Sequence, residues 1–129
     1  MSQTCILIVE ADVLVRNPLA EYLRECGYQV LEALDAAEAR LLLTDGPQQI
    51  DIVLADANMP GQSGFALAVW VRNNHAGVRV VLAGSVAKTA EKARDLCEDS
   101  PALSKPYDHQ FVLSHIRRLL AARDRNEDG

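Results

Sequence analysis

Asp56 closes the apolar run Ile52-Val53-Leu54-Ala55 and is followed by Ala57-Asn58-Met59-Pro60-Gly61. A carboxylate that ends a buried strand and opens an irregular segment is held in place yet reachable. It is also a nucleophile toward phosphorus, able to form an aspartyl-phosphate. Two further apolar runs end in charge: Cys5–Val9 leads into Glu10 and Asp12, and Ala102-Leu103-Ser104 leads into Lys105-Pro106. Acids from two strands and a lysine from a third suit a phosphoryl group with a divalent cation. Glu10, Asp12, Asp56 and the backbone carbonyl of Asn58 are the candidate oxygen ligands for magnesium. Lys105 is the mobile point charge that would neutralise the phosphoryl oxygens. Pro106 fixes the chain just after it, with a cis Lys105–Pro106 bond expected.

These charges meet only if their strands lie parallel with their carboxyl ends along one crevice, where open α/β sheets place their chemistry. The pattern along the chain predicts that arrangement, because short apolar runs alternate with helical periodicities. Cys5–Val9 is continuous and rich in β-branched residues, as for a strand buried on both faces. Val15, Leu19, Tyr22, Leu23 and Cys26 follow at helical spacing, with Gly27 as the stop. Pro18 leaves two alternatives: the helix begins at Asn17, or its early part lacks a hydrogen bond. Gln29–Ala33 is a second strand. Asp35 and Glu38 form a capping box for a helix that ends at Asp45-Gly46-Pro47. Strand three is expected over Asp51–Ala55 and helix three over Phe65–Asn74, with Ala68, Val69 and Val71 partly inward. Strand four is expected over Val78–Ala83, then a helix through Cys97 capped by Ser85 or Thr89. Ala102–Ser104 is a brief fifth strand, and a last helix capped by Asp108 carries Phe111, Val112, His115, Ile116, Leu119 and Leu120 inward. The whole is one domain over residues 1–129, with 124–129 a frayed tail.

Composition bounds the function. At 129 residues the chain can bury a normal core, and 49% hydrophobic with 24% charged residues is globular composition. A net charge of −5 argues against a nucleic-acid partner, which needs clustered basic residues. Arg117, Arg118, Arg123 and Arg125 are followed by Asp124, Glu127 and Asp128, which reads as a solvated helix end. No apolar run reaches the ~18 residues that span a membrane, and the first residues do not form a secretory signal, so a cytoplasmic protein is expected. Cys5, Cys26 and Cys97 lie apart within apolar patterns and read as reduced thiols. Trp70 reads as packing or surface, and Arg16 and Arg72 as residues of solvated helix faces.

The chain resembles the receiver domains of two-component response regulators over essentially its full length. The resemblance rests on Ile6-Leu7-Ile8-Val9-Glu10-Ala11-Asp12, on Asp56-Ala57-Asn58-Met59-Pro60-Gly61 with Gly64, and on Lys105-Pro106, in that order and spacing. It implies a flavodoxin-like (βα)5 doubly wound parallel sheet of strand order 2-1-3-4-5. It also implies that Asp56 accepts a phosphoryl group from a sensor histidine kinase or phosphotransfer protein. The output face would be helix four, strand five and helix five. Three positions depart from the family pattern. Ala11 stands where the family has a second adjacent acid that binds metal, so magnesium binding is expected to be weak. The family's Ser or Thr at the end of strand four falls on Gly84 by counting along the strand, with Ser85 one residue late, or on Ala83 by counting back from Lys105. Gly84 and Ser85 are the candidate phosphoryl contacts. Ala102 replaces the aromatic switch residue.

Two other function classes are weighed against a phosphorylated signalling module. A degenerate receiver would bind proteins without phosphorylation, Ala11 having cost it the metal. An aspartyl-phosphate phosphatase needs a general acid two residues after the nucleophile, where this chain has Asn58. A non-enzymatic signalling module without an output domain is the expectation.

Overall fold

The computed structural model describes residues 4–59 and 63–98. Four parallel strands, β1 (Cys5–Val9), β2 (Gln29–Ala33), β3 (Ile52–Asp56) and β4 (Arg79–Ala83), form one sheet in the order β2-β1-β3-β4. Strand order and helical connections match the first four units of the expected fold. The expected fifth strand, the last helix, the tail and Lys105-Pro106 lie outside the described residues.

Every residue of β1 is buried, because the strand is central and covered on both faces. The two-residue alternation of a strand then sorts its side chains. Ile6 and Ile8 pack with α1 (Val13–Glu25) and α4 (Val86–Glu98), whereas Cys5, Leu7 and Val9 pack with α2 (Ala36–Asp45) and α3 (Gly64–Asn74). Each fully buried Leu or Ile contributes about 1.5–3 kcal/mol of transfer free energy, so this central strand anchors both layers.

Local signals set the helix ends. Asp12 caps α1, its side chain accepting from the Leu14 amide, and Gly27 stops it with φ 100°. Pro18 lies within α1, which resolves the two alternatives: the helix begins at Val13 and forgoes one hydrogen bond, at the carbonyl of the exposed Leu14. Asp35 caps α2 through the Glu38 amide, while the Glu38 carboxylate accepts from Leu34 N, one residue before the usual capping-box partner. Ser85, not Thr89, caps α4, since its Oγ accepts from Lys88 N.

Some expectations need correction. In α3 Val71 is buried and Ala68 half-buried as expected, but Val69 is 52% exposed and Leu67 is buried instead, because the helix rolls its Leu67–Val71 edge onto the sheet. Cys26 and Cys97 are not reduced thiols; they form a disulfide. The ends of α1 and α4 pack together, with Tyr28 Oη also donating to the Leu96 carbonyl. The two cysteines are 71 residues apart in sequence, so spacing gave no hint of the pair. Arg16 is not on a solvated face either: it is held against β2 by Glu32 at 3.1 Å.

Candidate functional site

The site grows from strand pairing. Val9 pairs with Ala55 and Asp56 pairs with Ala83, so Glu10, Asp56 and Gly84 emerge together from the carboxyl ends of β1, β3 and β4. Glu10 stays tied to the sheet, its amide donating to the Ala33 carbonyl at 3.1 Å, and it is only 5% exposed. Its Oε2 accepts from Asp12 N at 2.9 Å, and Asp12 Oδ1 accepts from Leu14 N at 2.9 Å. The two acids flanking Ala11 are thus chained through a tight turn into the N-terminus of α1, where negative charge is favoured.

Asp56 is half-buried. Its Oδ1 accepts from Asn58 N at 2.9 Å, an Asx turn that aims the carboxylate out of the strand. The Asn58 side chain donates to the Gly84 carbonyl at 3.0 Å and so latches the segment after β3 to the one after β4. The Ala57 amide adds a further bond to the Ala83 carbonyl at 2.9 Å.

Gly64 closes the far side. Its amide donates to the Ala57 carbonyl, and a Cβ there would lie 2.5 Å from the Asp56 carbonyl oxygen and 2.8 Å from Ala57 Cα. Only glycine lets α3 start this close to the acid.

The remaining candidates divide. Ala83 is the residue in register with Asp56 and ends β4. Gly84 follows it and presents its carbonyl to Asn58, while the Ser85 hydroxyl serves the start of α4. Lys105, Pro106, Pro60 and Gly61 lie outside the described residues. Trp70 is on α3 in contact with the Arg40 guanidinium, 5.8 Å from its ring centroid, and with the His75 ring. A groove of 540 Å³ between α3 and β4 holds none of the candidate acids. At the opposite end of β1, burial with help from the Asp51 carboxylate pushes the Cys5 thiol up.

Among the described residues no three His, Cys, Asp or Glu side chains stand close enough to form a metal cluster. Magnesium does not require one, since it binds through one or two carboxylates and keeps several waters. Glu10 and Asp56, at the adjacent ends of β1 and β3, are carboxylates that such an open site would use with the Asn58 carbonyl, while Asp12 Oδ1 accepts from Leu14 N at the start of α1. Sequence reasoning missed Arg16 and Glu32 as neighbours of this turn; Arg16 stands one helical turn after Asp12, but nothing local points to the strand residue that holds it.

Comparison with known proteins agrees with this geometry. A family model described as the response regulator receiver domain matches residues 6–121. The aerobic respiration control protein ArcA of Escherichia coli K12 is 37% identical over 117 residues, covering 90% of this chain and 48% of that protein. The non-phosphorylated HemR receiver domain of Leptospira biflexa is 26% identical with TM-score 0.59, covering 92% of this chain and 94% of that one. A structure of histidine kinase ThkA in complex with response regulator protein TrrA is 32% identical with TM-score 0.54, over 61% of this chain and 66% of that one. The chain spans about half the length of the first curated relatives it matches. Sheet order, the acids ending β1 and β3, and the family match agree: this chain belongs to the response regulator receiver domains of two-component systems, which are signalling modules that interact with sensor histidine kinases and generally bind magnesium at the phosphorylation site.

Proposed function

We propose that the protein is a phosphorylation-dependent signalling receiver whose acceptor is Asp56. The observation that carries this reading is the Asp56 carboxylate at the end of β3, turned outward by the Asn58 amide beside Glu10. With Oδ1 holding that amide, Oδ2 is the attacking oxygen. It forms the new P–O bond as the bond from phosphorus to the donor's imidazole nitrogen breaks, and that electron pair leaves with the imidazole. A magnesium ion bound at this site supplies positive charge against the phosphoryl oxygens. Glu10, Asp12 and the Asn58 carbonyl would hold it, and Lys105 would neutralise the remaining charge. The donor is a sensor histidine kinase or a phosphotransfer protein, and the output is partner binding or onward transfer of phosphate. The helix four, strand five and helix five face is where a downstream protein would read the state. No helix among the described residues is long and apolar enough to cross a membrane.

Incubation with acetyl phosphate and magnesium, read by intact mass, tests the acceptor. A phosphoryl mass gain on the wild type, absent from Asp56→Asn, is expected. An equal gain on the variant moves the acceptor elsewhere. No gain on the wild type leaves only a protein-binding module.

A further inference from the structure

We infer that Arg16 is a positioning residue for the phosphorylation site: anchored on Glu32, its guanidinium holds the Glu10 carbonyl and thereby fixes the turn that carries the Glu10 and Asp12 carboxylates. This rests on the reading of Asp56 as acceptor and deepens it. Arg16 Nη1 donates to the Glu10 carbonyl at 2.8 Å, and Nε donates to Glu32 Oε1 at 3.1 Å. The side chain is only 16% exposed, and that of Glu32 is 25% exposed. One rigid fork therefore bridges the end of central β1 and the edge strand β2, a task suited to the planar guanidinium and not to a single ammonium.

Glu32 is itself steadied, because its other oxygen takes Arg24 Nη2 at 3.4 Å, and Arg24 Nη2 also donates to the Val30 carbonyl at 3.0 Å. The bridge thus has footings on α1 and β2. Its reason lies in the turn. With Ala11 between them, Glu10 and Asp12 hold two negative charges within one tight turn, each carboxylate accepting from an amide of that segment, and their mutual repulsion would open the turn. A cation bonded to the backbone between β1 and Ala11 opposes that opening without occupying the side-chain oxygens a metal needs. Partners of this kind, which hold metal-binding groups without touching the metal, change affinity by about 10–100-fold when removed.

The test compares the wild type with Arg16→Gln, Arg16→Lys and Glu32→Gln, each checked for folding by its thermal melt. Three quantities are read: the magnesium concentration for half-maximal phosphorylation by acetyl phosphate, the rate at saturating magnesium, and amide exchange at Asp12 and Leu14. Arg16→Gln and Glu32→Gln should raise the half-maximal magnesium by about tenfold, change the saturated rate by less than about twofold, and speed exchange at both amides. Arg16→Lys should resemble Arg16→Gln, since an ammonium cannot span both acceptors. If Arg16→Gln does not fold, Glu32→Gln and Arg16→Lys carry the same comparison. A wild type that is phosphorylated while the folded variants keep its magnesium dependence overturns the role of Arg16 and leaves Asp56 standing. Full rescue by Lys also overturns it, because charge alone would then suffice. A wild type that takes up no phosphoryl group defeats the Asp56 reading, and this inference falls with it.

Discussion

Asp56 and Ala83 face each other in register at the ends of β3 and β4, with the Ala57 amide bonded to the Ala83 carbonyl at 2.9 Å. The strand position beside the proposed acceptor therefore offers a methyl group and no hydroxyl. A hydrogen bond to a charged group contributes about 1.5–3 kcal/mol. Ala83→Ser should accordingly raise the rate of Asp56 phosphorylation by acetyl phosphate about tenfold, measured by intact mass against time. An unchanged rate would show that the residue in register is not the one that reaches the phosphoryl group.

Ala11 sits between two acids that are both engaged in the turn, so an added carboxylate there offers the cation a new oxygen. Ala11→Asp should tighten magnesium binding by about tenfold or more, as one added ligand of this kind tunes affinity in oxygen sites. Calorimetric titration reads it, and equal affinities would sink the account of weak binding.

Gly64 lies where any side chain would strike the Asp56 carbonyl. Gly64→Ala forces α3 away from the acid, an overpacking cost of about 1–3 kcal/mol. A urea unfolding midpoint lowered with unchanged slope is expected; wild-type stability would mean that the start of α3 shifts freely.

The Cys26–Cys97 link closes a loop of 71 residues in sequence separation. The chain-entropy account assigns such a crosslink about 4 kcal/mol. Reduction should lower the thermal midpoint by about 10–20 °C, and alkylation without reductant should label neither cysteine. Labelling of both in the untreated, folded protein counts against the link.

Cys5 is the free cysteine of the described residues, buried and with its thiol pushed up by desolvation first and the Asp51 carboxylate second. The folded state holds this proton more tightly than the unfolded state. Its contribution is therefore complete below the usual thiol range and declines as pH rises through it. Native protein should resist iodoacetamide at Cys5 at mildly alkaline pH, and react only once denatured. Fast native labelling contradicts the burial.

Much of this protein was legible in its residue order. The continuous apolar run Cys5–Val9, the capping pair Asp35 and Glu38, and the stop at Gly27 are local effects that act within a few residues, so pattern alone places the first strands and helices. The acids at Glu10 and Asp56 were equally plain, because each interrupts an apolar run. Relations between distant segments were set only as the chain folded. Pairing of Asp56 with Ala83, contact of Gly64 with the acid's own carbonyl, the bridge from Arg16 to Glu32, and the union of Cys26 with Cys97 all depend on strand register and helix packing. Those are set by the burial of whole faces at once, and no short window of sequence carries them.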